Sequence, residues 1–165
     1  QVNTGRREFA NLDYTRQIAK SAEILKSLEA GQDPVAKSKG DQKRHYYLAQ
    51  ADEIMPYRVY VPAKWTPTAK LPLVIALHGL GGNEDSLMSR DDGMLMKLAE
   101  QHGMIVAAPL GYRSNGGYGN GITAQTDPAR ARLLQLSEAD VMNVAEMVEK
   151  EYGADPKRRY LMGHS

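Results

Sequence analysis

The spacing of apolar residues changes period along the chain, and that change divides it into two parts. In the first part Ile18, Ala22, Leu25 and Leu28 recur at intervals of three and four, while Lys20, Glu23 and Lys26 lie elsewhere on the wheel. This pattern predicts one amphipathic helix. Gly31 closes it and Pro34 prevents its resumption. The polar stretch from Gln32 to Gln42, interrupted by Pro34 and Gly40, reads as a connection. Residues 1–50 are therefore expected to form an N-terminal helical extension and linker. The helix is expected to dock against the domain that follows.

From residue 51 onward the pattern alternates between short apolar runs and helical spacing. Tyr57 to Val61 is rich in β-formers and lies between Pro56 and Pro62, which predicts an edge or early strand. Leu73 to Leu77 is continuously apolar, as expected of a parallel strand covered on both faces. Met94 to Gln101 reads as a short helix stopped by Gly103, and Ile105 to Ala108 as a second buried strand ended by Pro109. Ser137 with Asp140 fits a capping box, followed by Val141, Val144, Ala145, Val148 and Tyr152 at helical spacing and Gly153 as the stop. Tyr160 to Met162 makes a last short strand that runs into Gly163-His164-Ser165. Strand, helix, strand, helix, strand with buried apolar strands predicts a doubly wound, mostly parallel α/β sheet over residues 51–165.

Composition narrows the function classes. The 165 residues carry a formal net charge of +1, which offers no electrostatic case for a nucleic-acid or anionic-membrane partner. The basic stretch from Lys37 to Arg44 is broken by Asp41 and reads as a solvated linker. Cysteine is absent, which removes disulfides, thiolate metal sites and a Cys nucleophile. No apolar run approaches the roughly 20 residues of a membrane span. The chain opens on Gln1 rather than Met, so an upstream segment is expected to have been removed. A cleaved secretory signal, which implies a secreted or periplasmic protein, and a trimmed chain are the two explanations.

Two features carry chemistry, and both lie just beyond strands, where ligand sites of open α/β sheets occur. The first is His78-Gly79-Leu80-Gly81-Gly82. A dinucleotide fingerprint counted from Gly79 fails because the sixth position is Glu84, and a phosphate loop fails because no Lys and Ser/Thr follow the last Gly. An oxyanion loop needs only a free N–H at the sheet top, which Leu80 can supply. A tight turn without chemistry is the other surviving reading. The second feature is Gly163-His164-Ser165 after a strand, the first half of a Gly-x-Ser-x-Gly nucleophile elbow. The loop from Gly111 to Gly121 falls on the same rim. In it Tyr112 and Tyr118 either stack on a substrate ring or anchor a flexible loop.

With these landmarks in place the chain resembles the α/β-hydrolase superfamily, and within it the polyhydroxyalkanoate depolymerase, feruloyl esterase and prolyl-oligopeptidase-like branch. The resemblance runs from about Met55 to Ser165 through Pro56-Tyr57-Arg58-Val59-Tyr60-Val61-Pro62, Leu77-His78-Gly79, Asp140-Val141 and Asp155 to Ser165. It implies Ser165 as nucleophile and the Leu80 backbone N–H as first oxyanion donor. It implies that His78 serves structurally, with Gly79, Gly81 and Gly82 as the supporting loop. His164, His45 and His102 are not taken as the catalytic base. In this fold the acid and then the histidine follow the serine, so both are expected after residue 165. A serine-dependent carboxylic ester hydrolase acting on a small-molecule or polymer ester, without metal or organic cofactor, is the leading expectation. A peptidase or acyltransferase of the same fold, and a binding module lacking the base, are the alternatives.

Overall fold

A computed structural model of the chain describes residues 13–165, which form two compact units divided between Ser38 and Lys39. In the first unit, helix α1 spans Tyr14–Glu29 and is capped by Asp13, whose side chain accepts from the Arg16 N–H at 3.0 Å. Gly31, with φ of 74°, receives the chain as it leaves the helix. No residue of α1 is buried, and Ile18, Leu25 and Leu28 of its predicted apolar face are exposed.

The second unit is built on a five-stranded sheet. Its strands are β1 (Gly40–Leu48), β2 (Glu53–Val61), β3 (Leu73–Leu77), β4 (Ile105–Pro109) and β5 (Arg159–Gly163), in the order β1-β2-β4-β3-β5. β1 and β2 form an antiparallel hairpin in which Gly40 faces Val61 and Leu48 faces Glu53. β2 also runs antiparallel to β4, whereas β3 runs parallel to both β4 and β5. β4 pairs with β2 only from Tyr57 to Tyr60, so Pro56 lies just outside that stretch, where a missing N–H breaks no ladder to β4.

Strand β1 corrects the linker expectation for residues 40–48. Its inward positions are Gln42, Arg44, Tyr46 and Leu48, and only the last is aliphatic. Alternation is present, but polar groups that find partners inside the fold conceal it. Arg44 is buried and forks onto Glu151 at 2.7 and 2.8 Å, with a further bond to the Tyr152 hydroxyl at 2.9 Å.

The parallel strands are covered on both faces, which is why they read as unbroken apolar runs. Leu73, Ile75, Ile105 and Ala107 pack against Val144, Ala145, Val148 and Tyr152 of helix α3 (Pro128–Tyr152). Their neighbours Val74, Ala76, Val106 and Ala108 pack on the other face against Ala99 of helix α2 (Arg90–His102) and against Met88. Regular helical dihedrals in α2 begin at Met94, after Asp91, Asp92 and Gly93 with positive φ. Helix α3 is longer than the capping-box reading predicts. It starts with Asp127 as N-cap and Pro128 in its first turn, and it runs 25 residues, so Ser137 and Asp140 are buried in its middle. Ser-x-x-Asp is a helix-start signal only when its donors are unsatisfied backbone N–H groups. Here both side chains serve other segments.

Trp65 joins the hairpin to the far end of α3. Its Nε1–H donates to the Tyr152 carbonyl at 2.9 Å, and its ring meets Tyr152 edge-on with centroids 5.2 Å apart. The described residues contain no helix long and apolar enough to cross a membrane. Truncation of Trp65, which is 3% exposed, removes a large side chain and its hydrogen bond to the Tyr152 carbonyl. Trp65→Ala in the full chain is expected to cost about 3–5 kcal/mol by urea unfolding. Met142→Ala on the exposed side of α3 should stay within about 0.5 kcal/mol.

Candidate active site

The order of the strands decides where a site forms. The crossover from β3 leads to β4 on one side, and the next crossover, from β4, passes back over β3 to β5 on its other side, so the strand order reverses direction. Such a switch point opens a crevice beyond the carboxyl ends of the strands. Three segments converge there: His78–Gly82 after β3, Leu110–Tyr118 after β4, and His164–Ser165 after β5. A pocket of about 300 Å³ at this place is lined by His78, Gly79, Leu80, Asn115, Tyr118 and Ser165 among others.

Ser165 sits at the end of β5 with φ of 71°. A left-handed conformation costs a residue with a Cβ roughly 1–3 kcal/mol, and such strain persists where the surroundings over-determine it. The surroundings are visible. The His164 N–H donates to the Leu77 carbonyl at 3.2 Å, extending the β5–β3 ladder up to the serine. Gly79 fits flat beneath the turn. A Cβ there would stand 2.9 Å from the His164 carbonyl oxygen and 3.2 Å from the Ser165 Cβ, so only glycine lets the two loops approach this closely.

The Leu80 N–H has no acceptor among the described residues, and its side chain is 85% exposed. Its neighbours are tied down: the Gly81 N–H donates to the Ser114 carbonyl and the Gly82 N–H to the Gly79 carbonyl, both at 2.9 Å. Gly82 packs on His78 and Ser86. His78 is buried, and its two ring nitrogens lie 2.7 Å from the carbonyl oxygens of Gly79 and Leu110. The ring therefore braces the β3 loop against the end of β4. Tyr118 completes the brace, meeting His78 edge-on and donating its hydroxyl to the His78 carbonyl at 3.0 Å. Burial pushes the Tyr118 phenol up to about 12, which keeps the hydroxyl a donor.

Tyr112 is not brought to the pocket. Its N–H donates to Asp140 at 2.8 Å, its hydroxyl donates to Glu53 at 3.1 Å, and the Arg113 guanidinium stacks 3.9 Å over its ring. It is an anchor of the loop, whereas Tyr118 forms part of the wall. Asp140 is fully buried, accepts from the Tyr46 hydroxyl at 2.6 Å and from Tyr112, and so ties α3 to β1 and to this loop. Burial raises its carboxyl above the ordinary range, against the opposing hydrogen bonds from Tyr46, Tyr112 and Gly111. Ser137 accepts from the Tyr118 N–H at 2.9 Å. A Cβ on Gly116 would fall 2.4 Å from that hydroxyl, so the loop packs flush on α3.

Sequence reasoning missed Asn115, Asn120 and Arg130, which also line the pocket. Arg130 lies in the first turn of α3, a turn that the capping-box reading excluded from the helix. Asp127-Pro128 is the signal that would have found it.

The arrangement is that of the α/β-hydrolase fold, with the glycine-rich loop after β3 beside a serine at the end of the neighbouring strand β5. The chain belongs to the Esterase family, described as "Putative esterase", whose pattern it matches over residues 49–165. No curated protein matches it in sequence. Among solved structures it is similar to an S-formylglutathione hydrolase from Agrobacterium tumefaciens at 19% identity and a TM-score of 0.62, over 76% of this chain and 48% of that one. It is also similar to a ferulic acid esterase from Anaeromyces mucronatus in complex with ferulic acid, at 20% identity and a TM-score of 0.56, over 81% and 52%. A third is the S-formylglutathione hydrolase of Staphylococcus aureus, at 17% and 0.57, over 76% and 47%. These likenesses establish the fold. The chain spans about half the length of these structures.

Two outcomes are expected from the site's construction. Gly79→Ala should shift the Ser165 turn, seen as displaced His164 and Ser165 in a crystal structure of the variant, while thermal unfolding shifts by only a few degrees. Glu53 is held below the ordinary carboxylate range by its hydrogen bonds from Arg113 at 2.7 and 2.8 Å, set against desolvation. A lowered folded-state value means that its contribution is present above the ordinary carboxylate range and is lost as pH falls through the folded value. The stability difference between wild type and Glu53→Gln should therefore be largest near neutrality and shrink towards pH 3, as read by urea unfolding.

Proposed function

We propose that the full protein is a serine-dependent carboxylic ester hydrolase with Ser165 as nucleophile. The observation that carries this reading is the positive φ of Ser165 at a strand end, over Gly79 and in one pocket with the unspent Leu80 N–H. A raised serine beside a free, fixed donor suits attack on a carbonyl carbon and stabilisation of the oxygen that becomes negative. The Ser165 hydroxyl adds to the ester carbonyl, and its proton passes to a histidine expected after residue 165. The alkoxide leaves as the alcohol, and water then hydrolyses the acyl-enzyme. Leu80 serves as oxyanion donor, and the chemistry calls for no metal or organic cofactor. Membership of the Esterase family supports the ester as the scissile bond.

Short or aromatic acyl esters are the proposed substrates. The likeness to a ferulic acid esterase supports an aromatic acyl group, and Tyr118 supplies an aromatic wall. Treatment of the full-length protein with a fluorophosphonate should place the adduct on Ser165 by mass spectrometry. Ser165→Ala should lower kcat/KM on 4-nitrophenyl acetate by roughly a thousandfold or more. An adduct on another serine would overturn the assignment. A kcat/KM higher on a proline-containing peptide anilide than on methyl ferulate or 4-nitrophenyl butyrate would replace the esterase with a peptidase.

A further inference from the structure

Most arginines of the second unit have a carboxylate partner. Arg44 pairs with Glu151, Arg58 with Asp41 and Asp85, Arg113 with Glu53, Arg158 with Asp155, and Arg159 with Glu149. Arg130 differs from them. It is half-buried in the wall of the pocket that holds Ser165, and its only hydrogen bond among the described residues runs from Nη1 to the Asn115 carbonyl at 2.9 Å. That bond orients the guanidinium and leaves most of its five donors unspent. Gly117 lies beneath it, where a Cβ would approach Nη2 to 3.3 Å.

Among the described residues the pocket lining adds no negative charge. Arg130 stands in the first turn of α3, where the Asp127 carboxylate caps the helix through the Ala129 N–H at 3.0 Å instead of pairing with the guanidinium. Among the described residues no Asp or Glu lines the pocket, and the neighbouring polar side chains Asn115, Asn120 and Ser114 are neutral. A guanidinium that faces a cavity and has no carboxylate ion-pair partner among the described residues lowers the free energy of an anion that enters. One cation matched by neutral donors fits a singly charged carboxylate better than a dianionic phosphate.

We propose that Arg130 is a specificity-determining residue that recognises a carboxylate on the ester substrate, so that half-esters of dicarboxylic acids are preferred over neutral esters of equal length. The proposal rests on the reading of this pocket as an ester-hydrolysing site. The full-length protein is assayed by pH-stat on monomethyl glutarate and methyl pentanoate, which differ by a carboxylate in place of a methyl group. Wild type should show at least a tenfold higher kcat/KM on the half-ester. Arg130→Gln should erase that ratio, and Arg130→Lys should restore part of it. A purely structural role would lower both rates and leave the ratio unmoved, and that result, or a wild-type ratio near one, overturns the proposal. Binding of glutaric acid monoamide against pentanamide, read by saturation-transfer NMR, separates the two layers. If neither ester is hydrolysed but the monoamide binds in an Arg130-dependent way, the carboxylate subsite stands and the esterase reading falls. If the esters are hydrolysed and the monoamide binds no better than pentanamide, the subsite falls alone.

Discussion

A carboxylate without solvent has to be repaid in hydrogen bonds, and the architecture around Asp140 is arranged to do so. Its two oxygens accept from the Tyr46 hydroxyl on β1 and from the Tyr112 N–H in the loop after β4. A buried acceptor of this kind is costly to leave unsatisfied, so the three segments that meet on it are held in one relative placement. The loop following β4 inherits its course from that placement. Tyr112 is pulled towards Glu53 and Arg113, and Tyr118 is left to reach His78. The pocket wall is thus a consequence of a core interaction one layer below it.

The same logic continues across the pocket. His78 bridges the loop after β3 to the Leu110 carbonyl, Gly81 bonds to Ser114, and Gly79 lies under Ser165. Each link uses backbone groups that a helix or strand would have consumed. Their diversion into loop-to-loop bonds leaves the Leu80 N–H without an acceptor among the described residues. These bonds on either side hold the Leu80 N–H at the pocket beside Ser165.

Much of this was legible along the chain where a residue's role is local. The apolar runs at Leu73 to Leu77 and Ile105 to Ala108 identify covered strands because burial on both faces removes the need for polar alternation. Gly103 and Gly153 mark helix ends because they take the left-handed conformation that ends a helix without a Cβ clash. The loop at His78 to Gly82 and the serine after β5 were also readable, since glycine spacing and strand order are properties of sequence. Residues 40–48 were not, because the inward side chains of β1 are polar and their partners, Glu151 and Asp140, lie about a hundred positions away.

The chain by itself therefore determined the succession of strands and helices, the α/β class, and the two loops at the sheet's edge that carry glycine and serine. These follow from short-range sterics and from hydrophobic period. Tertiary structure alone decided which polar residues were structural and which were left to face a ligand. Ser137 and Asp140 have the spacing of a cap and act as core acceptors, while Tyr112 and Tyr118, six positions apart in one loop, part into anchor and wall. Arg130 reads like any surface arginine until its guanidinium is found in the pocket wall, bonded to the Asn115 carbonyl. The physical reason is that the state of a hydrogen-bonding or charged group depends on what stands within a few ångströms of it, and sequence separation carries no information about that distance.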